Sequence, residues 1–275
     1  MPLEVPTVMG VVNVTPDSFS DGGQFLDPDA AIAHGIELAS QGAAILDVGG
    51  ESTRPGAEPV AEDEELRRVL PVVEGLAAES SGWEISVDTA KHAVAEAALE
   101  AGAAIVNDVT ALRGDPGMAE LVAERGAGCC LMHMLGEPRM MQDAPQYDDV
   151  VSDVKAFLEE RLAFAVDAGV AEEKVWLDPG IGFGKTVDHN LELLRRLDEL
   201  VAIGRPLVVG TSRKSFLGKL AGGRPESGRL PGTIATNVLA LERGASIFRV
   251  HDVAAVMAAL AVTAAVVDGE GVKQP

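Results

Sequence analysis

An arginine and a histidine separated by one residue, Arg249-Val250-His251, stand at the end of a short apolar run over 246–250. If that run is a buried strand, the two side chains leave it on the same side, because strand side chains alternate with a period of two. Two anion-seeking groups then point into one pocket. An isolated pair of this kind is more often a pair of solvated loop charges, but other apolar runs in the chain end alike. Asn13, Asp47 with Glu51 beyond it, Asp88, Asn107 with Asp108, His133, Asp178, and Ser212 with Lys214 each follow or close such a run. Any one of them could instead cap a helix, since Asp, Asn, Ser and Thr are the usual N-caps. Asp47, Asp108, Asp115 and Asp252 fit that reading as well as a site role.

The elements that must position these groups alternate. Hydrophobic periodicity predicts strands over 8–14, 43–48, 84–88, 103–107, 128–133, 174–178, 206–210 and 245–250. Helices are predicted between them over 29–41, 62–78, 91–100, 116–125, 148–168, 190–203 and 233–243, and a last one within 252–267. Five helices end in a glycine, a small residue and then an apolar strand, at Gly42, Gly102, Gly126, Gly169 and Gly244. Eight strands nearly all separated by helices imply a parallel sheet with right-handed crossovers. At 275 residues without an internal linker, the expected fold class is α/β, a single (β/α)8 TIM barrel forming one domain over 1–275. Function in such a barrel collects at the C-terminal ends of the strands, where the polar residues above fall.

Composition narrows the function further. With 47% apolar but only 4% aromatic residues, the core must be built of Ala, Val, Leu and Ile. A formal net charge of -21 argues against a nucleic-acid or anionic-membrane partner, which would require clustered Lys and Arg. The two cysteines, Cys129 and Cys130, are adjacent in an apolar run where side chains alternate, so they are read as buried thiols of a reducing compartment, and a cytoplasmic location is expected. No signal peptide is visible, and 252–267 is short for a bilayer span of roughly 20 residues. The glycine-rich segment over 180–186 fits neither the P-loop nor the dinucleotide pattern and reads as a tight rim loop. The five histidines lie on separate elements without the close pairs of a zinc site.

The most specific runs are NVTPDSFSDGG at 13–23, DVGGESTRPG at 47–56, SVDT at 86–89, ND at 107–108, MHM at 132–134, DPGIGFGK at 178–185, SRKS at 212–215 and RVHD at 249–252. In this order they strongly resemble the dihydropteroate synthases, pterin-binding TIM barrels of folate biosynthesis. The resemblance implies that 4-aminobenzoate displaces diphosphate from 6-hydroxymethyl-7,8-dihydropterin diphosphate to give 7,8-dihydropteroate. It assigns Asp88, Asn107 and Asp178 to the donor and acceptor edges of the pterin, Lys214 to its carbonyl side, and Met132 and Phe183 to its walls. Asn13, Arg54, Arg249 and His251 match the diphosphate pocket, with Mg2+ held by Asn13 and diphosphate oxygens. Phe19 and Asp21 on one loop, and Thr53, Arg54 and Pro55 on another, match two lids that complete the aminobenzoate site; Asp21 would stabilise a cationic pterin methylene. Ser215 would hold the aminobenzoate carboxylate, helped by the helix it opens. The catalytic set is thus Asp21, Lys214, Arg249 and His251, the cofactor Mg2+, and the assembly a homodimer through helices far from the rim. A methyltetrahydrofolate:corrinoid methyltransferase barrel shares the heterocycle site but has no diphosphate to neutralise, which counts against it. A catalytically silent pterin-binding barrel would show gaps in the anion and loop groups.

Overall fold

The structure, a computed structural model, describes residues 6–15, 27–52, 56–79, 82–136, 141–142 and 144–268. Strands and helices run β1 (Thr7–Asn13), α1 (Pro28–Ser40), β2 (Ile45–Gly49), α2 (Glu62–Glu79), β3 (Glu84–Asp88), α3 (His92–Glu100), β4 (Ile105–Asp108) and α4 (Met118–Arg125). The second half continues with β5 (Gly128–Met132), α5 (Val150–Asp167), β6 (Val175–Asp178), α6 (Val187–Arg195), α7 (Leu197–Val201), β7 (Val208–Val209), α8 (Ser215–Leu220), α9 (Leu230–Glu242), β8 (Ile247–Val250) and α10 (Val253–Asp268). The parallel strands form one sheet in the order β6-β5-β4-β3-β2-β1-β8-β7. A parallel bridge from Leu177 to Leu207 joins its two edges, so the sheet closes into the expected eight-stranded barrel.

Local sequence explains the elements closely. The five helix-ending glycines all have positive φ, the conformation that turns the chain back into the next strand. Two helices depart from expectation. The predicted helix over 190–203 starts earlier and is broken at Arg196, whose backbone leaves helical geometry while its guanidinium bonds Asp149 and Glu199, each at 2.7 Å. The helix predicted over 233–243 begins at Leu230, with Pro231 in its first turn, where a missing N–H costs no intrahelical bond.

The barrel interior has two levels. Met9, Ile45, Ile105, Cys130, Val208 and Ile247 form an apolar plug, with Trp176 packed against it. Two residues further along those strands, on the same face, come Val11, Asp47, Asn107, Met132, Gly210, Arg249 and Asp178. A period of two therefore places an apolar floor under a polar ring. The alternate residues of each strand face the helices and build the outer shell, where Val48, Val87, Val106, Leu131, Leu177, Val209 and Phe248 are buried.

Candidate active site

Above the plug, at the C-terminal ends of the strands, opens a cavity of about 410 Å³. Its lower wall is Asp88, Asn107, Met132 and Asp178, from β3 to β6. Phe183 and Lys214 come from the loops after β6 and β7, Ser215 from the start of α8, Asn13 and Arg249 from β1 and β8, and His251 from just beyond β8. All ten predicted site residues within the described part of the chain thus meet in one space. Phe19, Asp21, Thr53, Arg54 and Pro55 lie outside the described residues.

A three-residue ion cluster occupies the floor. Arg249 Nε donates to Asp47 Oδ2 at 2.6 Å and Arg249 Nη2 to Asp88 Oδ2 at 2.7 Å. Asn107 Nδ2 donates to the same Asp47 oxygen at 3.1 Å. Asp47 is fully buried and its Oδ1 has no protein partner. Burial pushes the Asp88 carboxyl up to about 7 against the pull of Arg249, and the neighbouring Asp47 adds to the rise. Asp178, also buried, accepts from Gly180 N at 2.6 Å. Burial raises its carboxyl too, and Lys214 is the main opposing charge.

Lys214 enters from the far wall. Its ammonium donates to the Ile181 carbonyl and stands 4.4 Å from the centre of the Phe183 ring. Burial draws it down to about 8, with Asp178 opposing. Its aim is set by the turn before it: Arg213 has φ +58°, a left-handed conformation, and is held by Asp252 through a bidentate pair at 2.9 and 2.6 Å. The Arg213 N–H also donates to Thr233 Oγ1 at 3.0 Å, and its carbonyl accepts from Arg229 Nη1 at 2.7 Å. One residue earlier, Ser212 Oγ accepts from His251 N at 3.1 Å and lies 3.0 Å from His251 Nδ1. The loops after β7 and β8 are therefore locked together, which fixes Lys214 and His251 relative to each other.

Some expectations are corrected. His133, expected at the rim, and Asp108, which fits a cap as well as a site role, are each one residue off the inward parity of their strands and face the helices instead. His133 packs edge-on against Phe157, ring centres 4.8 Å apart, and Asp108 accepts from Thr110 N and Leu112 N at 2.7 and 2.8 Å. Asp47, read as a cap as readily as a site residue, precedes no helix and anchors Arg249; counting by twos from Ile45 would have found it. Asp252 stands before α10, yet its side chain serves Arg213. Glu51, not carried into the predicted site, lines the cavity wall. Lys91 holds it and the buried Glu65 together, and Glu51 Oε1 also accepts from Val60 N at 3.1 Å. Ser215 is exposed at the head of a helix of only six residues, so its hydroxyl rather than a helix dipole is the group it brings.

Among the described residues no three His, Cys, Asp or Glu side chains form a metal cluster. Asn13 is the oxygen-bearing residue that the resemblance assigns to Mg2+. One protein oxygen suits an ion that draws the rest of its octahedron from phosphate and water.

A barrel that carries paired carboxylates and a carboxamide on its floor and cations at its mouth is the architecture of a pterin-binding enzyme. Residues 9–251 match the family described as pterin binding enzyme, and the chain belongs to that family. Its relatives are more particular. The dihydropteroate synthase of Escherichia coli (strain K12) is 49% identical over 263 residues, 96% of this chain and 92% of that protein. The structure of the Xanthomonas albilineans dihydropteroate synthase with 4-aminobenzoic acid superimposes with a TM-score of 0.90 at 50% identity, covering 96% of this chain and 93% of the other. A structure of that enzyme in complex with 7,8-dihydropteroate gives a TM-score of 0.86 at 46% identity, over 97% and 95% of the two chains. Within the pterin-binding enzymes, the relatives are thus dihydropteroate synthases, transferases of folate synthesis.

Proposed function

We propose that the cavity condenses 6-hydroxymethyl-7,8-dihydropterin diphosphate with 4-aminobenzoate, giving 7,8-dihydropteroate and diphosphate, with its residues divided into three groups. The observation that carries this reading is the juxtaposition in one cavity of Asp88, Asn107, Asp178 and Lys214 with Asn13, Arg249 and His251. The first four can bond the donor and acceptor edges of a flat pterin between Met132 and Phe183. Charged hydrogen bonds of this kind are worth roughly 1.5–3 kcal/mol each, and a ring that leaves one buried partner unpaired is rejected.

The second group receives the diphosphate. The amine nitrogen of 4-aminobenzoate forms a bond to the pterin methylene carbon as that carbon's bond to the diphosphate oxygen breaks, and the amine loses one proton. The leaving group takes the electron pair, so cations placed at the departing oxygen lower the barrier. Arg249 and His251, which line the same cavity, would supply that charge, and Arg54 belongs with them by resemblance. Mg2+ held by Asn13 would supply further neutralisation of the phosphate charge. In the third group, Ser215 offers its hydroxyl to the aminobenzoate carboxylate. By resemblance, Phe19, Asp21, Thr53, Arg54 and Pro55 belong to the second-substrate group, and Asp21 would stabilise positive charge on the methylene.

Beyond the site, the reading includes a homodimer and a cytoplasmic location. Support for self-association comes from α9 and α10, which pack on each other and expose Leu239, Val262, Val266 and Val267. Support for a reducing compartment comes from two free, buried cysteines; burial pushes Cys129 up to about 12 and raises Cys130 well above the usual thiol range. No described helix is long and apolar enough to cross a membrane.

The deciding experiment is a coupled assay for diphosphate release with the pterin diphosphate, with and without 4-aminobenzoate and Mg2+. Release that depends on aminobenzoate, with dihydropteroate as product, is expected. Absence of an aminobenzoate-dependent product would remove the proposal.

A further inference from the structure

Two residues that the mechanism leaves unused find each other outside the cavity. Lys185 is 3% exposed, and its ammonium lies 2.9 Å from His133 Nδ1, 2.9 Å from the Phe183 carbonyl and 3.4 Å from the His133 carbonyl. Three acceptors match the three hydrogens of an ammonium, which accepts nothing itself. The geometry requires a neutral His133 with its proton on Nε2. Burial first, and then Lys185, push His133 down to about 3, in agreement. Burial draws the Lys185 amine well below its ordinary value, with Asp178 opposing, so its three acceptors rather than a carboxylate in contact hold its proton, and a methionine would fill the space without the cost of burying charge.

What Lys185 holds is the loop after β6. Five successive carbonyls of this loop are each taken by a donor. Phe183 N bonds Gly180 O at 3.0 Å, Lys214 Nζ bonds Ile181 O, and Gln142 Nε2 bonds Gly182 O at 2.7 Å. Lys185 Nζ bonds Phe183 O, and Tyr147 Oη bonds Gly184 O at 2.8 Å. The loop is thus hung between two ammoniums, Lys214 on the cavity side and Lys185 on the shell side, gripping carbonyls two residues apart. It has no slack: Gly180 has φ +64°, and a Cβ there would lie 1.9 Å from the His133 carbonyl. A Cβ on Gly182 would lie 2.9 Å from Lys214 Cδ.

We propose that Lys185, aimed by His133, is a positioning residue for the pterin site, pinning the loop whose Ile181 carbonyl and Phe183 ring cradle Lys214. Without Lys185, the Phe183 carbonyl and both His133 acceptors lose their buried donor, the loop relaxes, and Lys214 loses the seat from which it reaches the pterin. The inference rests on the proposed function, because Lys214 is taken there to bind the pterin.

The test measures binding of 6-hydroxymethylpterin, which carries no phosphate, by calorimetry to the wild type, Lys185→Met, Lys214→Met and the double variant, with circular dichroism and thermal melting run on each. In a folded Lys185→Met protein the affinity should fall about tenfold, the scale of one lost charge-assisted bond. In the Lys214→Met background the same change should cost less than about twofold, since its effect passes through Lys214. Affinity kept in Lys185→Met, or an equal loss in both backgrounds, overturns the inference. If Lys185→Met does not fold, His133→Phe decides: it keeps the ring contact with Phe157, removes the Nδ1 acceptor and should weaken the pterin about threefold. Unchanged affinity there overturns the inference as well. A wild type that binds no pterin would instead sink the proposed function on which this rests.

Discussion

Arg249 grips Asp88: its Nη2 donates to the carboxylate at 2.7 Å while its Nε holds the buried Asp47 at 2.6 Å. A carboxylate assigned to the pterin is therefore also a partner of the protein's own cation. A pterin that donates to Asp88 shares the carboxylate with Arg249, and a diphosphate beside Arg249 offers the guanidinium another anion. The two halves of the substrate can help each other bind through this one side chain.

Arg249→Ala should cripple turnover while leaving affinity for a pterin without phosphate nearly intact at a pH where Asp88 stays ionised, a threshold that rises once the Arg249 charge is gone. The price is stability: two buried carboxylates lose their partner, which costs about 3–5 kcal/mol. Steady-state kinetics, calorimetry and thermal melting on the one variant read all three. Equal losses of turnover and pterin affinity would show that the anion pocket is misplaced.

Asp47→Asn should act in the opposite sense on pterin binding. The neutral amide releases Nε, Arg249 is left with Asp88 as its carboxylate, and Asn107 loses its charged acceptor. Affinity for the phosphate-free pterin should fall about fivefold, the scale of a weakened charged hydrogen bond. Tighter binding would mean that Asp47 is a structural anchor only.

Pterin affinity should trace a bell with pH. Ionised Asp88 is an acceptor only, whereas protonation turns one of its oxygens into a donor; burial sets it at about 7, so affinity for the pterin donors falls as pH drops below that value. Lys214 donates through its charged form, and burial sets it at about 8, so affinity also falls as pH rises above that value. Asp88→Asn should abolish that limb and leave the alkaline one. A flat profile between pH 6 and pH 9, on either side of the two values, would contradict both assignments.

Much of this architecture is legible in the chain because a barrel strand has a strict period and a known functional end. Glycines such as Gly42 and Gly169 mark helix ends without ambiguity, since positive φ is nearly theirs alone. The ring of inward groups was found by reading strand ends, but the last polar residue of a strand is not always the inward one. That rule misplaced His133 and Asp108, whereas counting in twos from the plug residues Ile105 and Cys130 selects Asn107 and Met132. Asp47 was equivocal because an aspartate before glycines looks like a cap until its partner, 202 residues away, is in view. The break at Arg196 was hidden for the same reason: Asp149 lies on a helix end 47 residues earlier.

The surface of α9 and α10 gives the last prediction. Val262 and Val266 are 65% and 75% exposed and sit one turn apart on a helix with no charged residue from Val253 to Val267. Full burial of such a side chain is worth roughly 1.5 kcal/mol or more, so a partner that covers both valines and Leu239 gains several kcal/mol that a monomer leaves in water. Val262→Glu with Val266→Lys should leave the melting temperature of the subunit almost unchanged, because neither side chain packs inside it, while converting a dimer to monomer in sedimentation velocity. The mixed charges keep the net charge constant, so a loss of association would report the lost apolar contact and not global repulsion. A dimer that survives the double substitution must use another face.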